Sequence, residues 1–193
     1  MTKPSASDIN WEPNLSFNPT SLDPFATHGI PIPTYGNYGG PGYTAGTLGG
    51  TTPPPPPNPI PADQLDQLFY EHDFALQQAQ AIPDPHAAAE AVVTASVGLV
   101  LAMDQLTLTQ PSSPAVQLYE GLATLAVTSQ LIAPAWNNID PAVQQAIEQA
   151  AQHAVTNFEE GLAAIPGEAG SLHGAFHVFE HQFAQSLPFD LFF

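Results

Sequence analysis

Two stretches of this chain have the residue types and spacing to do chemistry. Residues 35–42 read YGNYGGPG, and a His72-Asp73 pair follows in a helix-like segment, His72 lying 32 positions after Gly40. Calcium takes about 6–8 oxygen ligands drawn from carboxylates, backbone carbonyls and water. A loop supplies carbonyls only where its backbone can curl inward, and glycine permits the positive φ that this requires. Tyr38, Gly40 and Gly42 alternate, so their carbonyls can converge on one ion. His72 falls on the apolar side of its segment, where desolvation favours the neutral, proton-accepting imidazole. Together these make a calcium site beside a general base. Taken singly, each has a plainer reading: a core histidine, a solvated helix aspartate and a flexible Gly-rich linker.

In order, the stretches resemble the core of the secreted phospholipase A2 family. The pattern Y-G-x-Y-x-G-x-G is carried by Tyr35, Gly36, Tyr38, Gly40 and Gly42; P-x-D-x-L-D by Pro61, Asp63, Leu65 and Asp66; and H-D by His72 and Asp73. The likeness covers residues 34–76. It implies a Ca²⁺ ion held by the carbonyls of Tyr38, Gly40 and Gly42 and by the bidentate carboxylate of Asp73. It also implies His72 as the base that deprotonates the attacking water, with the Gly40 N–H helping calcium to hold the oxyanion. The implied activity is hydrolysis of the sn-2 ester of glycerophospholipids, by direct attack of water, at a membrane surface or micelle. A catalytically silent calcium- or lipid-binding module and a purely structural helical domain are the competing readings.

The chain departs from that family at identifiable points. It has no cysteine, so the loop has to be held by packing alone. Gly39 stands where the family has a cysteine tied to the first helix, Phe69 takes the partner's place, and Leu76 replaces a tyrosine. The acid that orients the base is not at the expected place: the residue across from His72 falls near Ala95 or Ser96. Asp104, two turns or more beyond, and Glu120, on the following helix, are the alternatives for that role.

Helical patterns position these residues. The first, 62–82, presents Leu65, Leu68, Phe69, His72 and Leu76 on one face. Residues 86–108 form a second helix, apolar almost all round and therefore expected to be central. A third spans 114–132, a fourth 141–163 with Asp140 as N-cap and Pro141 in the first turn, and a shorter one 171–185. The expected fold is mainly α: a phospholipase A2-like helical core with a Gly/Pro-rich calcium loop and additional helices, few or no strands. Residues 1–33 read as an irregular arm packing through Trp11, Phe17 and Phe25, 34–110 as the catalytic core, 111–185 as helices packed on that core, and 186–193 as a hydrophobic tail. The prolines at 53–57 should form a short polyproline II strut.

Charge sets the partners. Eighteen acids face one basic residue, a formal net charge of −17, which argues against nucleic acid and against the basic-patch route to anionic membranes. Lipid contact would then come from Tyr43, Phe189, Phe192 and Phe193. The apolar run 91–103 is too short to span a bilayer, so no transmembrane segment is expected. The N-terminus lacks the pattern of a secretory signal. The C-terminus, Asp190 followed by Leu191, Phe192 and Phe193, looks like the uncleaved export signals of bacterial type I secretion, and a secreted location suits a low-affinity calcium site. Oligomeric state and head-group preference are left open.

His173, His177 and His181 recur every fourth residue, and residues 177–181 read H-x-x-E-H, the inverted zinc-protease motif. Only Asp190 follows as an acid, so an amphipathic packing face is the favoured reading. His28, His86 and His153 lie in no motif and read as structural or exposed.

Overall fold

The computed structural model describes residues 9–10, 16–17, 30–31, 34–110, 112–164 and 186–189. The chain divides into two compact units, Met1–Phe74 and Ala75–Phe193, with the division inside the first helix. The fold is mainly α, as expected. The second helix packs with the third and fourth.

Among the described residues, the first unit contains three minimal antiparallel ladders. β1 (Ile9–Asn10) pairs with β4 (Thr34–Tyr35), β2 (Ser16–Phe17) with β3 (Ile30–Pro31), and β5 (Tyr43–Thr44) with β6 (Thr47–Leu48). Each strand has two residues; a segment so rich in Pro and Gly sustains no longer ladder. Of the arm, Ile9 is buried beside Thr34 and Tyr35; Trp11 and Phe25 lie outside the described residues. In the proline-rich segment the Pro55–Pro56 and Asn58–Pro59 bonds are cis.

Helix α1 (Gln64–Gln80) begins at a cap written into D-x-L-D. Asp63 Oδ1 accepts the Asp66 N–H (2.9 Å), and Asp66 Oδ2 reaches back to the Ala62 N–H (2.7 Å), a variant of the reciprocal capping box. Leu65 and Phe69 are buried on the expected face, whereas Leu68, His72 and Leu76 are only half-buried. Tyr70, off that face, is buried as well: its ring lies 5.0 Å from that of Tyr38 and its hydroxyl donates to the Pro53 carbonyl (3.2 Å).

The second unit is a bundle of α2 (Pro85–Thr109), α3 (Pro114–Val127) and α4 (Pro141–Ala163), with a π-helical turn (Thr128–Ile132) and a 3-10 helix (Ala133–Asn138) between the last two. One device starts all three helices. Proline sits in the first turn, where its missing N–H costs nothing. Asp84, Ser113 and Asp140 accept from the N–H groups of His86 (3.0 Å), Val116 (3.3 Å) and Ala142 (2.8 Å).

The central helix is α3, not α2. Residues 118–122, 124 and 125 of α3 are buried, against only Ser96, Leu99, Val100 and Met103 of α2. Much of the apolar character of α2 comes from alanine and valine, which cover little area each, while α3 and α4 approach closely through glycine. A Cβ on Gly121 would lie 2.4 Å from the Ala154 carbonyl oxygen, and one on Gly161 2.6 Å from the Leu118 nitrogen. At 25 residues α2 is longer than the apolar run 91–103 and, by length and composition alone, is long and apolar enough to cross a membrane. Val100, Ile132, Ile147 and Ala150 form a fully buried cluster. Phe189 packs against that cluster and tilts onto Trp136, ring centroids 5.1 Å apart, so this expected lipid contact is spent on the bundle. Phe192 and Phe193, with the rest of the tail beyond Phe189, lie outside the described residues, as does the 171–185 segment with His173, His177 and His181.

Candidate metal centre

The loop closes on itself before it meets anything else. Tyr35 and Gly39 exchange two backbone hydrogen bonds, N–H to carbonyl, each 2.8 Å. Gly36, Gly40 and Gly42 take φ of +57°, +143° and +64°, a region that disfavours side chains. Around this turn, Asn37 Nδ2 donates to the Ile60 carbonyl (3.0 Å), Tyr38 Oη to the Pro59 carbonyl (2.6 Å), and the Tyr35 hydroxyl to Asp63 Oδ2. The proline segment is thus a buttress for the loop.

Besides the Tyr38–Tyr70 ring pair, two contacts tie the loop to α1. In the first, a Cβ on Gly39 would lie 2.9 Å from Phe69 Cδ2, so the glycine is seated against the ring, and Tyr35 meets Phe69 edge-on at 6.4 Å. The second corrects the expectation that packing alone holds the loop. Asp66, fully buried, accepts the Asn37 N–H at 3.0 and 2.9 Å on its two oxygens and the Tyr38 N–H at 2.8 Å on Oδ1.

Of the expected carbonyl ligands, Gly40 accepts from the Tyr43 N–H (3.1 Å) and Gly42 from the Gly49 N–H (2.7 Å). Each carbonyl oxygen keeps a second lone pair for a cation.

Asp73 sits half-buried one helical position beyond His72, with its carboxylate hydrogen-bonded to the Thr44 side chain. Thr44 Oγ1 lies 3.2 Å from Thr52 Oγ1. Asp73 Oδ2 is buried and has no hydrogen-bond partner among the described residues. Burial pushes the carboxyl up to about 7, against the Thr44 hydrogen bond and with the Asp66 charge adding to it. A buried carboxylate oxygen needs a proton or a cation. The chain has one Lys and no Arg, so side chains are a poor source of positive charge. Either a proton, which the raised pKa favours, or a divalent ion would meet the need of that oxygen. His72 is half-buried, and burial lowers it to about 4, so the ring is neutral at ordinary pH, as its position on the helix predicts.

Comparison with protein-family models, with curated proteins and with solved structures gave no match.

Both acids that the sequence offers for orienting His72 have partners of their own in the helical unit. Asp104 Oδ1 lies 2.7 Å from His153 Nδ1. Glu120 is fully buried, with Oε1 accepting from Thr124 Oγ1 (3.0 Å) and Oε2 from Asn157 Nδ2 (2.8 Å). This network and the role of Asp66 escape a reading by helix periodicity. The D-x-L-D pattern signals a helix cap at Asp66 but not its bonds to a loop 28 and 29 positions away.

Proposed function

We propose that the chain is a calcium-dependent phospholipase A2, hydrolysing the sn-2 ester of glycerophospholipids with a water activated by His72. The observation that carries this reading is the buried Oδ2 of Asp73, without a partner among the described residues and next to His72 on the helix that anchors the glycine loop. Asp73 and the carbonyls of Tyr38, Gly40 and Gly42 would hold the ion. When bound, calcium supplies positive charge at the ester carbonyl. His72 would present an unprotonated ring to the attacking water; its lowered pKa keeps it neutral at ordinary pH but makes it a weaker base than an unperturbed histidine. The Gly40 N–H is available to the oxyanion.

The second reading, a calcium-binding module without catalysis, is favoured by one observation: Asp104, one of the two acids the sequence offers for orienting His72, is held by His153. Fatty-acid release from phosphatidylcholine vesicles, with calcium and with chelator, for wild type and His72→Gln, separates the two. The enzyme reading expects release only from wild type in calcium. Equal release in every arm rejects it, and calcium binding by calorimetry with no release selects the silent module.

A further inference from the structure

We infer that Asp66 is the positioning residue of the loop: its carboxylate, through backbone amides, sets the conformation on which cation affinity depends. The cation half of this inference rests on the calcium reading above. Three amides, those of Asn37, Tyr38 and Ala62, converge on one fully buried carboxylate at 2.7–3.0 Å. Consecutive N–H groups turned onto one anion form a nest, and charge-assisted bonds of this length are the strong ones. A helix cap needs only the Ala62 bond; the other bonds cross to the loop and have no capping role.

Two features show that the loop is shaped to this carboxylate. A Cβ on Gly36 would lie 2.3 Å from Asp66 Cγ and 2.5 Å from each carboxylate oxygen, so the glycine and the acid are a matched pair. With the Tyr38 N–H turned towards Asp66, the Asn37 carbonyl of the same trans peptide points away, and it accepts the Gly46 N–H at 2.8 Å. The peptide that Asp66 grips therefore also docks the β5–β6 hairpin, which carries Thr44, the partner of Asp73. One acid thus fixes the start of the loop and, through the hairpin, the strand beside the candidate ligand. A loop fixed in this way loses little further entropy when it binds an ion.

The test pairs amide exchange in chelator with a calcium titration by calorimetry, on the full chain and on Asp66→Asn. The expected result is slow exchange at Asn37 and Tyr38 in wild type, at least about tenfold faster exchange there in the variant with α4 amides unchanged, and at least about tenfold weaker calcium binding. Should Asp66→Asn fail to fold, Gly36→Ala disturbs the same pair from the loop side and is expected to give the same loss. Equal calcium affinity in wild type and variant overturns the inference, as does free exchange at Asn37 and Tyr38 in the wild type. If wild type binds no calcium yet loses its loop protection on substitution, the calcium reading fails while Asp66 keeps its positioning role.

Discussion

Phe69 fills the space that a side chain at Gly39 would need, its Cδ2 standing 2.9 Å from where the Cβ would be. A glycine and an aromatic ring thereby join loop and helix without covalent chemistry. Gly39→Ala is expected to destabilise the protein by about 1–3 kcal/mol through overpacking, and Phe69→Ala by about 3–5 kcal/mol. Because the two groups touch, their effects should miss additivity by at least about 0.5 kcal/mol. Denaturant unfolding of both single variants and the double variant checks this; simple additivity would show that the contact is incidental.

Asp73→Asn separates stability from cation binding. The substitution removes a buried carboxylate whose Oδ2 has no partner among the described residues, so the melting temperature in chelator should stay level or rise. The calcium-induced rise expected of wild type should vanish. Thermal melts with and without calcium measure both; a variant that still gains stability from calcium would place the ion elsewhere.

Glu120 makes the helical unit pH-dependent. Burial pushes it up to about 7 from the ordinary 4.5, against hydrogen bonds from Asn157 and Thr124, with Asp104 on α2 adding to the rise and His153 on α4 opposing it. The folded state therefore keeps a proton that the unfolded chain has released across that window. This contribution is full below about pH 4.5, declines as pH rises towards 7 and is level above. At neutral pH Glu120→Gln should recover on the order of 3 kcal/mol relative to its effect at pH 4.5. Unfolding of both proteins from pH 4 to 8 tests it; parallel curves would mean that Glu120 stays ionised throughout.

The reciprocal glycines of α3 and α4 should tolerate no added carbon. Gly121→Ala drives a methyl to 2.4 Å from the Ala154 carbonyl oxygen, and Gly161→Ala to 2.6 Å from the Leu118 nitrogen and the Pro114 oxygen. These neighbours include backbone, which cannot swing aside, so each substitution is expected to cost about 1–3 kcal/mol or more. A loss below about 0.5 kcal/mol in chemical denaturation would show that the helices separate easily.

What the sequence discloses here is mostly local. Asp140 with Pro141 announces the start of α4, and the period of Leu65 and Phe69 announces the inner face of α1, because caps and amphipathic stripes are set by near neighbours. The burial of Tyr70 is invisible to that period, since it depends on Tyr38 and on Pro53, 17 residues earlier. Composition overstates the place of α2 because it counts alanine and valine alike with larger side chains, while packing rewards area and close approach. The partner of Asp104 is 49 positions away, beyond any local pattern. The loop's glycines were legible as a turn; that an aspartate holds it in place was not.

A crystal structure grown in calcium tests the central claim most directly. The account predicts one ion about 2.3–2.6 Å from the Asp73 carboxylate and from the carbonyl oxygens of Tyr38, Gly40 and Gly42, with His72 beside it. Asp73 still resting on Thr44 in saturating calcium, with no ion between helix and loop, would contradict it.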